Sequence, residues 1–334
     1  MTTVAVCILN YNGASILPTF LPSVIAHSGT HKVYVIDNAS TDNSLEILAN
    51  YPSIYIIKND TNKGFAGGYN QGLQYITEDV YILLNSDVEV TPNWIDPIIN
   101  LMNSDATIAA CQPKIKEYNN KINFEYAGAA GGFIDAYGYP YCKGRVFNTV
   151  EEDKGQYDAN YEITWACGAA LFVKRNIYWQ VQGLDEDFFA HQEEIDLCLR
   201  IKNIGYKIYY CYQSQIYHLG GGTLNKSNPR KTFYNFRNNL FLLTKNDYRW
   251  YSFIIIAMRF LLDGIAGLFF AFKGAPKDCV AVIKAHLNYY ASFTKMLSKR
   301  KLLQLQRVKT IGTPVFQRNI IPLPFSKQVF SKII

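Results

Sequence analysis

No Cys-x-x-Cys pair occurs among the seven cysteines, which are scattered at positions 7, 111, 142, 167, 198, 211 and 279. An odd, dispersed set excludes a disulfide framework or a zinc ribbon, and it fits a reducing cytoplasm. Met1 to Leu9 carry no basic segment ahead of their apolar run and turn polar at Asn10, so they read as a strand and not as a signal peptide. A Gly-x-x-x-x-Gly-Lys-Ser/Thr phosphate loop is missing. So is Gly-x-Gly-x-x-Gly after the first strand, where Asn10-Tyr11-Asn12-Gly13 stands instead, and the glycines at 64, 67, 68 and 72 come too late and with the wrong spacing. The first absence excludes a P-loop, and the second argues against a dinucleotide-dependent oxidoreductase. The Gly-rich, Arg- and Lys-bearing signature that a nucleotidyltransferase would show after that strand is missing too. Acids are scarce at the C-terminal end: after Asp263 only Asp278 remains against twelve Lys and Arg, so residues 264–334 carry about +11 and residues 1–263 about −5.

What is present describes a folded protein. Of the 334 residues 49% are hydrophobic and 18% charged, with 25 Tyr and 20 Phe, which is enough to bury a core in one large domain or two. Val4 to Leu9 is a continuous apolar run ending at Asn10, and a helical segment follows from about Ala14 to Ala26. Val33 to Ile36 is a second such run and stops at Asp37, with Asp42 placed to cap a helix through Ala49. Ile54 to Ile57 is a third; the segment after it, Asn62-Lys63-Gly64, opens another helix. Val80 to Leu84 is a fourth, halted by Asn85-Ser86-Asp87. Strands alternating with helices predict an α/β fold with a mostly parallel sheet, and ligands of such sheets bind beyond the carboxyl ends of the strands. Asn10, Asp37 and Asp87 all fall there.

Asp87 at the end of a buried strand is a hard oxygen ligand suited to Mg²⁺ or Mn²⁺ on a diphosphate, or else an ordinary turn former. Asp37 is a loop residue or an acceptor for the imino N–H of a pyrimidine base. The glycines from Gly64 onward let backbone approach a nucleotide or make a tight turn. Further on, Glu193, Glu194 and Asp196 open an apolar-periodic segment with Arg200 a turn later, the pattern of a helix N-terminus. Asp196 and Arg200 are spaced to pair, whereas Glu193 and Glu194 have no built-in partner. Two adjacent carboxylates pointing different ways can divide labour, one orienting a sugar hydroxyl and one removing its proton.

Six pieces in this order resemble the inverting glycosyltransferases of family 2, which have the A-type fold: Val6 to Asn12, Val35 to Asp42, Asn62 to Asn70, Leu83 to Asp87, Glu193 to Arg200, and Tyr217-His218. In detail they look most like the rhamnosyltransferase-like branch that builds bacterial surface polysaccharide, over roughly residues 3–240. The resemblance implies that Asp37 reads the donor base with the Asn10 and Asn62 loops beside it, and that Asn85 and Asp87 correspond to the family's Asp-x-Asp motif. Asp87 and His218 would then hold the divalent metal. Glu194 takes the position of the catalytic base, an assignment that can slide to Glu193. Trp165 and Asp196 are candidates for sugar or acceptor contacts, with a core tryptophan and an Asp196–Arg200 pair as alternatives. A dTDP or UDP sugar is the favoured donor, rhamnose the favoured sugar, and a growing or lipid-linked glycan the acceptor. The competing reading is a non-catalytic sugar- or nucleotide-binding module on the same fold.

Trp250 to Phe272 is the most hydrophobic stretch and is long enough to span a bilayer, but Arg259 and Asp263 interrupt it at pairing distance. Val280 to Leu303 mixes Lys with Leu, Tyr and Phe. The expectation is a catalytic domain over residues 1–240 and, over 241–334, a basic helical region held on an anionic membrane surface at its cytoplasmic face. A helical pair packed on the catalytic domain is the alternative. Nucleic acid is not expected as a partner, because no recognition motif accompanies the charge.

Overall fold

A computed structural model describes residues 2–146, 149–220, 228–308 and 315–317. Four apolar runs form parallel strands: β1 (Val4–Asn10), β2 (Lys32–Asp37) and β4 (Val80–Asn85) are buried on both faces, as strands between helical layers must be, and β3 (Tyr55–Lys58) is the largely exposed edge. Between them lie α1 (Leu17–His27), α2 (Ser44–Leu48) and α3 (Gly64–Leu73). Asp42 accepts from the backbone N–H of Ser44 at 3.0 Å and so holds the start of α2. β1 pairs in parallel with β2 and with β4, in a register that sets Asn10 beside Asp37 and Leu9 beside Asn85. Three polar strand ends therefore finish at one edge.

Next come β5 (Val88–Val90), α4 (Asp96–Ser104), β6 (Ile108–Glu117) and four short strands, β7 (Gly132–Asp135), β8 (Pro140–Cys142), β9 (Arg145–Val146) and β10 (Thr149–Val150). The apolar stretch 163–175, expected as one strand interrupted at Gly168, is divided. β11 (Tyr161–Ile163) lies on the sheet edge, whereas β12 (Ala170–Lys174) inserts between β4 and β6, antiparallel to both. α5 (Arg175–Gln180), α6 (Glu193–Asn203) and β13 (Lys207–His218) follow. The main sheet runs β11-β13-β6-β12-β4-β1-β2-β3, with β5 against β13. It is mixed: a parallel block carries β1 to β4, and β12 joins that block to the β6–β13 pair. β7 to β10 form a small second sheet with β14 (Phe316–Gln317).

α7 (Pro229–Asn246), α8 (Ser252–Phe272) and α9 (Pro276–Gln306) close the described chain. The boundary expected at residue 240 falls inside α7. The N-terminal part of α7 packs on the loop before α6, Tyr234 against Phe189, and its C-terminal half is buried from Arg237 to Asn246. α8 turns Ile255, Ile256, Arg259 and Asp263 inward. Arg259 donates to Asp263 at 3.3 Å and to Asn239 Oδ1 of α7 at 2.5 Å, its guanidinium lies over the Tyr139 ring, and His286 of α9 reaches Asp263. The two charges that interrupt the apolar stretch thus sit against protein. The opposite face of α8 exposes Ile254, Met258, Leu261, Ile265, Leu268 and Phe272.

Candidate active site

Construction starts at the common edge of β1, β2 and β4. Asn10, wholly buried, donates through Nδ2 to Asp37 Oδ1 at 2.9 Å and to Ser40 Oγ at 3.1 Å. Asp37 Oδ2 accepts from the Ser40 N–H at 3.1 Å. The Asn10 Oδ1 acceptor is buried with no hydrogen-bond partner in the described protein. An orphaned acceptor beside a carboxylate at a strand end matches the donor edge of a base. One turn of chain away, Asn62 Oδ1 accepts from Asn38 Nδ2 at 3.0 Å and from the Gly64 N–H at 2.9 Å, shaping the entry to α3. Gly64 has φ +72°, and a Cβ there would lie 2.6 Å from the Phe189 carbonyl oxygen, so the position requires glycine.

The next corner lies where β5, which follows β4 after Asp87, pairs with the end of β13. The β13–β5 register sets His218 opposite Val88, next to Asp87, and the His218 Nε2 lies 3.1 Å from Asp87 Oδ1 and 3.4 Å from Asn85 Nδ2. On its other side Nδ1 lies 3.4 Å from Glu125 Oε1. Glu125 is itself buried and accepts from the N–H groups of Ala127 and Gly128. Burial alone would push the His218 imidazole down, but the Glu125 and Asp87 carboxylates hold it up at about 10. Burial would likewise raise Glu125, yet the His218 charge and those N–H groups hold it below the usual range. A carboxylate orienting an imidazole whose other nitrogen faces a second carboxylate is the arrangement expected of a metal-binding histidine. Asp87 and His218 therefore fit a divalent cation that would take the place of the proton. Among the described residues no group of three or more His, Cys, Asp or Glu forms a metal cage, so the remaining ligands would be phosphate oxygens and water.

Glu193 and Glu194 open α6 as its first-turn residues. Glu193 is 4% exposed; burial and the neighbouring Glu194 charge push its carboxyl well above the usual range. Glu194 is half-buried beside Gly168, with burial raising it to about 7 against the lowering effect of the helix N–H groups. Burial thus raises both carboxyls, with Glu194 left poised near neutrality. Of the two, Glu194 is the less buried.

The segment before α6 is strained. Phe189, His191 and Gln192 adopt φ of 63°, 69° and 69° without being glycine. What holds them is α7. Asn238 Nδ2 donates to the carbonyls of Phe188, Ala190 and His191 at 3.1, 2.9 and 2.6 Å, and the Arg237 guanidinium donates to the carbonyls of Asp187 and Phe188 at 2.9 Å each. Gln192 donates to the Asn235 carbonyl at 3.0 Å and accepts from Asn239 at 3.3 Å. The Phe189 carbonyl in turn receives the Phe65 N–H of α3 at 2.7 Å. One loop thus links the nucleotide side, the carboxylates and the C-terminal helices.

Two expectations are corrected. Trp165 is 3% exposed and packs against Gly132, and its indole N–H donates to the Phe133 carbonyl at 2.9 Å, so it is a core residue and not a sugar platform. Asp196 is wholly buried. One of its oxygens takes Arg200 at 2.8 Å, and the other takes Lys245 and Asn246 at 2.8 Å each, so it anchors α6 to α7 and meets no substrate. Glu125 and the Arg237-Asn238-Asn239 run were not singled out from sequence. Glu125 lies in a region without period, 93 positions before its partner His218. The polar run at 237–239 ahead of Leu240-Phe241-Leu242-Leu243 was a visible signal of a helix with a buried polar duty.

A mixed, largely parallel sheet with polar strand ends at one edge and helices on its flanks is the frame of an inverting glycosyltransferase of the A-type fold. Residues 5–181 match the profile of Glycosyl transferase family 2, and the chain belongs to that family. It is 24% identical over 230 residues, 63% of this chain and 74% of the relative, to the N-acetylglucosaminyl-diphospho-decaprenol L-rhamnosyltransferase of Mycobacterium tuberculosis. It is 23% identical over 231 residues, 64% of this chain and 71% of the relative, to the dTDP-rhamnosyl transferase RfbF of Shigella flexneri. Among solved structures, GalNAc-T7 with UDP, GalNAc and Mn²⁺ shares the fold, with a TM-score of 0.53 at 22% identity over 65% of this chain and 43% of that longer one.

Proposed function

We propose that the protein transfers rhamnose from a dTDP sugar, with inversion, to a hydroxyl of a lipid-linked glycan at the cytoplasmic face of a membrane. The observation that carries the catalytic part is Glu194, a half-buried carboxylate at the start of α6 that burial raises to about 7. Asp37 and Asn10 Oδ1 offer acceptors to the base, and the Asn62–Gly64 turn borders it. Asp87 and His218 would hold Mg²⁺ or Mn²⁺, which when bound neutralises the charge that develops on the departing nucleoside diphosphate. Glu194 Oε2, which has no partner in the described protein, accepts the proton of the attacking hydroxyl. The donor and acceptor classes are argued from the two rhamnosyltransferase relatives.

Membrane attachment is argued from α8. It is the one described helix long and apolar enough to cross a bilayer. Spanning would strip Arg259 and Asp263 from Asn239, Tyr139 and His286 and place both charges in hydrocarbon. Lying in the interface keeps those contacts and buries the Ile254–Leu261–Leu268 face in lipid. The test is a thermal-shift panel of the full chain against dTDP, UDP, GDP and CDP, with and without Mn²⁺. A shift from dTDP that requires metal is expected, and no shift from any nucleotide would overturn the donor reading.

A further inference from the structure

Between the first turns of α7 and α9 lies an open cavity of about 530 Å³. Its lining is apolar, with Phe233, Tyr234 and the buried Ala281 among others, the exposed Val280 lies at its edge, and it also carries Arg230, Lys277 and Lys284. None of these three cations forms an ion pair among the described residues, in a chain whose other lysines near the catalytic loop, Lys245, Lys295 and Lys299, are all committed to Asp185, Asp187 or Asp196. The nearest acid in sequence, Asp278, is turned to Thr232 Oγ1 at 2.5 Å, where it ties the two helices together. Both helix N-termini also point their positive ends toward this rim.

The groove adjoins two surfaces already described. Tyr234 in its floor stacks on Phe189 of the strained loop, with ring centroids 5.6 Å apart and planes at 15°, so one aromatic pair separates the groove from the segment that leads into Glu193 and Glu194. On the other side the α8–α9 turn, residues 273–275, leads directly into Pro276 and Lys277 and carries the exposed Phe269 and Phe272 at the end of α8. Three free cations over an apolar floor, between a catalytic loop and an apolar helix face, complement an anionic group that has a hydrocarbon on one side and a sugar on the other.

We propose that this groove binds the diphosphate of the polyisoprenoid carrier on which the acceptor glycan is built. Arg230, Lys277 and Lys284 contact the phosphate oxygens, the first isoprene units lie on Val280 and Phe233, and the chain leaves along α8 into the membrane. The inference rests on the reading that the acceptor is lipid-linked and deepens it by naming where the carrier is held. It also gives the acceptor a direction, with the diphosphate at the α7–α9 rim and the sugar hydroxyl toward Glu194.

The test uses the full chain and a Lys277→Glu/Lys284→Glu variant, both outside the catalytic machinery. Phosphatidylcholine vesicles are doped with a polyprenyl diphosphate, with phosphatidylglycerol at matched charge, or with a polyprenol. Co-sedimentation should show wild type preferring the diphosphate vesicles by at least about tenfold, the scale of a few charge-assisted contacts, and the variant losing that preference. The variant should keep the wild-type thermal shift with dTDP and Mn²⁺, which reports its folding. A variant that keeps the preference overturns the proposal. So does a wild type that binds the diphosphate and phosphatidylglycerol vesicles equally, since the rim would then serve only as a general anionic-lipid contact. The underlying reading is tested apart, by transfer of label from dTDP-rhamnose into the organic-extractable fraction of bacterial membranes. Label there without a vesicle preference sinks the groove alone, whereas no label sinks the lipid-linked reading itself.

Discussion

Replacing Glu194 with Gln separates its two consequences, one for rate and one for stability. In the folded protein its carboxyl is raised from 4.5 to about 7, chiefly by burial. A base with that value is about one-tenth ionised at pH 6, so wild-type kcat/KM should rise about tenfold between pH 6 and a plateau above pH 8. Glu194→Gln should lower the plateau by roughly 10² to 10⁴ and flatten that limb. Stability runs the other way. Because the folded pKa lies above the unfolded one, the native state holds the proton more tightly between pH 4.5 and 7, and its stability falls as pH rises through that window. The full shift corresponds to about 3 kcal/mol, and partial exposure of the side chain reduces this to about 1 to 2 kcal/mol. The Gln variant lacks this penalty. Its melting temperature should equal that of wild type near pH 5 and exceed it by a few degrees at pH 8. Initial-rate profiles from pH 5.5 to 9 and differential scanning calorimetry at pH 5 and 8 read both effects. A variant with wild-type turnover, or a melting-temperature difference that does not grow with pH, refutes the assignment of Glu194 as the buried base.

Three further outcomes are expected. Asp87→Ala should weaken dTDP binding in the presence of Mn²⁺ by tenfold or more and have little effect without metal, and titration calorimetry with and without chelator checks this. Asn238→Ala deprives three carbonyls of the strained loop of their donor and should cost about 2 to 3 kcal/mol in urea unfolding, with kcat falling more than donor affinity. Gly64→Ala forces a Cβ within 2.6 Å of the Phe189 oxygen at φ +72° and should cost about 1 to 3 kcal/mol while raising the donor KM, as seen by thermal melting and initial rates.

Much of the nucleotide side was legible because it is local. An apolar run that ends in Asn10, Asp37 or Asn85 states both the strand and its end, and parallel pairing then lines the ends up without further information. The α6 start was legible for the same reason, since three acids ahead of an apolar period mark a helix N-terminus wherever it lies. What could not be read depends on contacts distant in sequence. Whether Trp165 faces a sugar or the core is decided by Gly132 and the Phe133 carbonyl, over thirty positions upstream. Asp196 was visible as a partner for Arg200, but Lys245 and Asn246, which complete its burial, arrive from another helix. Glu125 has no local pattern at all; only the β6–β13 pairing brings His218 to its side. The left-handed residues at 189, 191 and 192 carry no glycine to announce them, and their support comes from α7.

The strand order has a consequence for dissection of the gene. The family match ends at residue 181, yet Glu193, Glu194 and His218 all follow it, and β13, which carries His218, sits inside the sheet between β11 and β6. A fragment cut at that limit would keep the Asn10 and Asp37 ends of β1 and β2, lose Glu193, Glu194 and His218, and leave the buried backbone of β6 as a bare edge open to pairing with another chain. Such a piece is a recipe for aggregation. Split-protein reconstitution, with residues 182 onward supplied as the second half, should recover a soluble particle only when β13 zips back into its slot.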